Sequence, residues 1–169
     1  MRRVAARKIR SLINGVILMS FGIFVVRDYN KNLKQVSLEG PSITDGASYT
    51  AATALFDALQ AALEDLALGV VADAGQRTVE STSNLAPAES TAQTNINAVV
   101  HYHQDLDSTK TRTFKIPTFD ISDETLFIGT TTILNPANTE VADFITAFEA
   151  YALIEGLSVT VDTIEYVNN

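Results

Sequence analysis

Residues 138–167 read NTEVADFITAFEAYALIEGLSVTVDTIEYV, and the hydrophobic repeat changes period within this one stretch. Asn138 has the short acceptor side chain of a helix cap. Val141, Phe144, Ile145, Phe148 and Ala152 follow at the spacing that lines one face of a helix, with Glu140, Asp143 and Glu149 opposite. Gly156 is expected to stop that helix. From Ser158 to Val167 the repeat shortens to two, the mark of a strand, with Val159, Val161 and Thr163 on one face and Ile164 and Tyr166 on the other. A helix handing over directly to a strand requires a fold that packs the two together.

The same contrast recurs upstream. Ala52, Leu55, Leu59, Ala62 and Leu66 predict a helix over about Thr50–Leu68, with Ser48 or Thr50 as its cap and Gly69 as its end. Asp57, Gln60, Glu64 and Asp65 form its polar side. Before it, Phe21–Tyr29 is apolar, aromatic and β-branched, Asn30-Lys31-Asn32 reads as a turn, and Leu33–Glu39 returns as a second strand that Gly40-Pro41 should end. Val70–Ser81, Ile96–Gln104, Thr111–Ile116, Ile121–Leu134 and the final segment complete the strands, with a turn at Asp107-Ser108. Asp73 and Gly75 mark an edge, and 82–94 reads as an exposed loop. The expected class is α+β: a mainly antiparallel β-sheet with two amphipathic helices packed on one face.

A chain of 169 residues suits one domain. At that size folding hides roughly 70% of the unfolded surface, so no metal or disulfide staple is needed. Hydrophobic residues make up 46%, and there is no Cys and no Trp. The missing Cys excludes a disulfide framework, a zinc finger, an iron–sulfur site and a thiol nucleophile.

Residues 1–18 differ from the rest. Arg2, Arg3, Arg7, Lys8 and Arg10 are five of the 12 cations, and no acid accompanies them. The apolar run Leu12–Val26 resembles a signal peptide or signal anchor, but it is shorter than the ~20 residues of a spanning helix, and Asn14 interrupts it. Alternatively this segment is a basic helix lying on a partner, or the frame opens too early: GVILMS is what a purine-rich ribosome-binding site before Met19 would encode. The expected division is therefore a basic and apolar extension over 1–18 and a single α+β domain over 19–169. Taking five cations from a net charge of −8 leaves −13 on that domain. So acidic a body repels nucleic acid, and membrane contact is expected only if residues 1–18 are a true anchor.

Few residues carry chemistry. On a strand, His101, His103 and Asp105 share a face, a spacing that permits a metal held by two imidazoles and a carboxylate. The His-x-His resembles that of cupins, but the acid and glycines that accompany it there are missing, so these residues are read as strand histidines near a hairpin end. Asp105-Leu106-Asp107-Ser108-Thr109 spells the DxDxT of haloacid-dehalogenase-type phosphatases without the buried strand before it, and reads as a polar turn. No glycine-rich phosphate loop and no Gly-x-Ser-x-Gly elbow occur. No catalytic residue, cofactor or required metal is expected.

From Met19 onward the chain resembles small virion proteins of bacterial viruses in the order of its segments. These are an opening hairpin (FGIFVVRDYNKNLKQVSL), an Ala-rich helix (TAATALFDALQAALEDLALG), TRTFKIPTF, a Thr-Thr-Thr-x-Leu, an Asn-Thr-Glu-Val helix, and VTVDTIEYV. The basic extension departs from that pattern. The resemblance implies a capsid, decoration or tail component located in the virion, with no catalytic residues to carry over. Its partners would be copies of itself and other virion proteins. The expectation is thus a non-enzymatic structural protein of a bacteriophage particle that self-assembles through strand edges or exposed loops, the edges being the Asp73–Gly75 strand and the terminal strand. The alternative is a membrane-anchored or secreted acidic binding module.

Overall fold

The computed structural model describes residues 18–27, 33–66, 73–77, 96–118 and 124–168. The expectations for residues 1–17, for the 30–32 turn, for Gly69 and for the 82–94 loop lie outside the described residues.

The apolar opening is a strand. β1 (Leu18–Arg27) pairs antiparallel with β2 (Leu33–Ile43) on one side and with β3 (Asp73–Arg77) on the other. The order β2-β1-β3 leaves β3 at an edge, as Asp73 and Gly75 implied. The downstream part of the Leu12–Val26 run is therefore the centre of a sheet and not a membrane helix, and no helix among the described residues is long and apolar enough to cross one. β2 does not end at Gly40-Pro41. Its register steps from Ser20–Gly40 to Met19–Ser42, so Pro41 is the extra residue of a bulge, a position where a strand tolerates proline.

Helix α1 (Gly46–Asp65) starts earlier than its periodicity implied, because Asp45 caps it. The Ser48 N–H donates to Asp45 Oδ1 at 2.8 Å and the Asp45 N–H donates back to Ser48 Oγ at 2.9 Å, a reciprocal box that satisfies two orphan donors. Its buried face comprises Ala52, Phe56, Leu59, Ala62, Leu63 and Leu66, so Phe56 and Leu63 join the expected set while Leu55 stays half-buried.

The second sheet has the order β5-β4-β7-β6 and is wholly antiparallel: β4 (Ile96–Gln104), β5 (Asp107–Thr118), β6 (Leu153–Ile154) and β7 (Leu157–Asn168). The fold is α+β with antiparallel sheets, the strands dividing into a three-stranded and a four-stranded sheet. The turn between β4 and β5 falls at Asp105-Leu106 and not at Asp107-Ser108. The terminal strand is no edge, since β4 pairs along one side of β7 and β6 along part of the other. Ile133 bridges to Glu165 on that second side, where Tyr166 N–H also donates to Thr132 O. The region expected to be extended over 121–134 instead contains a 3-10 turn (Glu124–Leu126) and a short loop through Gly129, whose φ is +56°.

Helix α2 (Thr139–Tyr151) is capped as expected by Asn138, whose Oδ1 accepts from the N–H groups of Glu140 and Val141. Its buried residues are Val141, Phe144, Phe148 and Tyr151. It ends at Tyr151, before Gly156, because Ala152 is already extended and leads into β6. Gly156 serves the β6–β7 turn instead, where Glu155 (φ 54°) and Gly156 (φ 76°) take the paired positive angles of a tight primed hairpin. Phe148 packs its ring 5.1 Å from Tyr102 and 5.7 Å from Phe114, which seats α2 on the four-stranded sheet.

The three-stranded sheet is joined through two glycines. A Cβ at Gly40 would collide with the Tyr151 ring, and one at Gly22 would meet Phe56 Cδ2 at 2.8 Å and Tyr151 Cε1 at 3.0 Å. The two rings, one from each helix, meet edge to face with centroids 5.4 Å apart in the space so left. A second joint is polar. Glu39 of β2 is only 7% exposed, and it accepts from Arg112 Nη1 of β5 (3.1 Å) and from the Gly156 N–H (2.8 Å).

Adding a methyl at either glycine forces a ring out of its seat. Gly40→Ala and Gly22→Ala are each expected to lower unfolding stability by about 1–3 kcal/mol, the usual cost of overpacking. Gly46→Ala, where an added Cβ meets nothing, should be near neutral. Urea unfolding of the three variants checks this, and equal effects at all three would refute the packing account.

Acid should also loosen the fold. The Ser48 N–H and hydroxyl hold the Asp45 carboxyl below its ordinary range, the Thr109 hydroxyl and N–H do so for Asp107, and the Lys110 ammonium does so for Glu155. A depressed folded pKa stabilises above the unfolded value and loses that effect as pH falls through the folded one. Melting temperature should therefore drop between about pH 4 and pH 2, and Asp45→Asn should remove part of that slope.

Candidate functional site: the histidine face of the four-stranded sheet

Period-two alternation splits β4 into two faces. Ala98, Val100, Tyr102 and Gln104 turn toward α2 and are buried, Gln104 donating through Nε2 to Ile154 O at 2.9 Å. His101 and His103 take the opposite face together, as their spacing implied. The third member of the expected set does not join them. Asp105 sits in the turn, where its Oδ1 accepts from the Thr160 hydroxyl at 2.7 Å.

The carboxylates that do reach the histidines come from β7. His103 Nδ1 lies 2.8 Å from Asp162 Oδ1, and His101 Nε2 lies 2.9 Å from Glu165 Oε1. Asp162 arrives there through a bulge. The pairing steps from His101–Thr163 to Tyr102–Val161, so Asp162 is the extra residue and the alternation of β7 changes phase around it. Val159 and Val161 turn inward before the bulge and Ile164 and Tyr166 after it, so the residues read as lying on two faces share one. The signal lay in the sequence as a defect: in VTVDTIEY two polar residues, Asp162 and Thr163, stand where strict alternation allows one.

An open groove of about 370 Å3 runs beside these pairs, lined by His101, Tyr102, Thr111, Arg112, Thr113 and Asp162. Thr111 and Thr113 belong to β5 and lie directly across from His103 and His101. In a neutral imidazole the nitrogen facing a carboxylate carries the hydrogen, which leaves the other nitrogen an acceptor. The groove thus offers hydroxyls, imidazole acceptors and carboxylates, a surface for hydrogen bonding. Among the described residues no group of three or more His, Cys, Asp or Glu is placed to hold a metal ion. The DxDxT-like segment forms a turn and the start of β5, with Asp107 Oδ1 accepting from the Thr109 hydroxyl at 2.6 Å.

Each histidine–carboxylate pair is partly exposed, with side-chain accessibilities of 37% and 34% for His101 and Glu165 and 21% and 43% for His103 and Asp162. Pairs of that exposure contribute at most about 1 kcal/mol each. Changing His101 and His103 together to Gln should leave unfolding stability within about 2 kcal/mol of the parent and leave assembly intact. Stoichiometric zinc or iron in the purified parent, absent from the double variant, would contradict this.

Comparison with protein-family models, with curated proteins and with solved structures found no match for this chain.

Proposed function

We propose that this chain is a non-enzymatic structural component of a virus particle and acts by self-assembly. The observation that carries the reading is strand β5. It ends the four-stranded sheet, and residues 108–113 are exposed without interruption, on both faces of the strand. A strand with one face on a core alternates between buried and exposed. The run begins in a register break, where Ser108, Thr109 and Lys110 have no partner on β4, and continues through Thr113. This stretch therefore stands clear of the core and is the surface on which the reading places a neighbour. The polar faces of the helices, with Asp57, Asp65, Glu140 and Asp143 exposed, repel copies of themselves, which directs association to the sheet.

The net charge makes the test specific. A body carrying −13 beyond residue 18 resists its own association at low ionic strength, and salt shortens the reach of that repulsion to about 10 Å at 0.1 M. Sedimentation and light scattering of the full chain are expected to show mass increasing with protein concentration and with salt. A monomer at every salt and concentration, with no virion protein recovered on pull-down, would overturn the reading.

A further inference from the structure

We infer that the tip of the four-stranded sheet formed by Leu106 and Leu157 receives the basic, aliphatic N-terminal segment, residues 2–13, of a second copy. This rests on the self-assembly reading and names its contact. Four large hydrophobic side chains are exposed among the described residues: Tyr49, Leu106, Ile128 and Leu157. Two of them meet at one end of the molecule. Leu106, 80% exposed, lies in the turn between β4 and β5, and Leu157, 43% exposed, opens β7. The Asp105 N–H donates to Ser158 O at 3.0 Å, and each leucine is the neighbour in sequence of one of these two residues.

The tip is fixed from several sides. Gln104 Nε2 donates to Ile154 O, the Thr160 hydroxyl donates to Asp105 Oδ1, and the Gly156 N–H donates to Glu39. Lys110 pairs with Glu155 across the two turns. These bonds tie the β4–β5 turn to the β6–β7 turn, and the latter to β2. A single exposed leucine is ordinary, but two adjoining ones on a well-tied frame make an anchor for a partner. Little of the frame's freedom remains to be lost when that partner covers them.

Charge selects the occupant. Asp105, Asp107 and Glu155 flank the leucines, and Lys110, the cation among them, is already held by Glu155. Such a rim repels the same rim on another copy and favours a cationic segment with aliphatic side chains. The chain's own first residues have that chemistry. Arg2, Arg3, Arg7, Lys8 and Arg10 carry five positive charges with no acid, and Val4, Ile9, Leu12 and Ile13 supply aliphatic contact. Leucines at the centre and ion pairs around them follow the usual division of an interface into apolar core and polar rim. A segment of one copy on a different patch of the next is a heterologous contact, which repeats from copy to copy into rings or longer arrays. The tip also adjoins residues 108–113, where the self-assembly reading places a neighbour. Salt screens the repulsion between whole acidic bodies more than it screens pairs in contact, so association still rises with salt.

The absence of cysteine allows a direct test on the full chain. Chains carrying Ser11→Cys are mixed with chains carrying Ser158→Cys and treated with a short bismaleimide. Positions 11 and 158 of different copies should become joined, as read by mass spectrometry of the linked peptides. Ser11→Cys mixed with Thr146→Cys, exposed on α2, should give no such link. Leu106→Ser combined with Leu157→Ser should raise the dissociation constant of self-association about tenfold, and Arg7→Glu combined with Lys8→Glu should do the same. Circular dichroism melts confirm that each variant is folded, and Leu106→Ser alone provides a milder second probe. If the parent associates but positions 11 and 158 link no better than 11 and 146, or the leucine variants associate as the parent does, the tip contact is wrong while self-assembly stands. A parent that never associates defeats both.

Discussion

Two aromatic rings resting where two glycines leave room hold this molecule together. Tyr151 closes α2 and Phe56 lies in α1, and both press on the backbone of β1 and β2 at Gly22 and Gly40. The approach is closer than any Cβ permits, so side-chain absence is the constraint that sets the distance between sheet and helices. The rest follows in sequence. With Tyr151 fixed, α2 lays Phe148 over Tyr102 and Phe114, with Phe144 against Phe148, which fixes the four-stranded sheet relative to the three-stranded one. The helix must also end there, and the chain leaves it extended through Ala152 into β6. Packing at interior density gives such a contact little freedom to relax.

The polar joint answers a different requirement. Burying a carboxylate costs several kcal/mol unless its lone pairs are filled by good donors. Glu39 is filled by a guanidinium from β5 and a backbone N–H from the β6–β7 turn, and so draws three separate elements to one point. That N–H belongs to Gly156, which follows Glu155, a residue held at positive φ. A non-glycine residue there is uncommon, and the contacts on both sides of it, Lys110 on the Glu155 carboxylate and Glu39 on the next amide, explain how it persists. The aromatic seat specifies distance, and the carboxylate specifies register.

What the sequence disclosed divides along the same line. Both helices were legible, because their apolar faces recur over several turns and Asn138 announces its own cap. The class and the hairpin of β1 and β2 were legible too. Whatever depended on a single residue acting across the fold was not. Pro41 reads as a strand end, yet a bulge absorbs it. Gly156 reads as a helix stop, yet a hairpin turn uses it. Gly22 and Gly40 gave no sign of their partners, since a glycine seat is defined by the ring that fills it. At the histidine face the pairing of His101 with His103 followed from strand geometry alone. Their acids did not, because Asp162 reaches that face only through a phase change in β7. Asp105, nearer in sequence, was drawn off by the turn.

The bulge at Asp162 connects fold to surface. Without it, a strand that buries Val159 and Val161 would turn Ile164 and Tyr166 to solvent and Glu165 to the core. One inserted residue corrects the inward set and, in the same step, places two consecutive polar side chains on the outer face. That face then becomes a ladder of threonines, histidines and acids across β5, β4 and β7, with few apolar atoms to drive nonspecific contact. Charge sharpens the distinction. Of the seven cations beyond residue 18, three lie on β5: Lys110, Arg112 and Lys115. Elsewhere acid dominates, so most approaches between two copies bring like charges together. β5 carries these three against a single acid, Asp107, and so has the largest excess of cations among the described strands. A strongly acidic composition therefore opposes contact between copies in general, and β5 is the described strand whose charge runs against that trend.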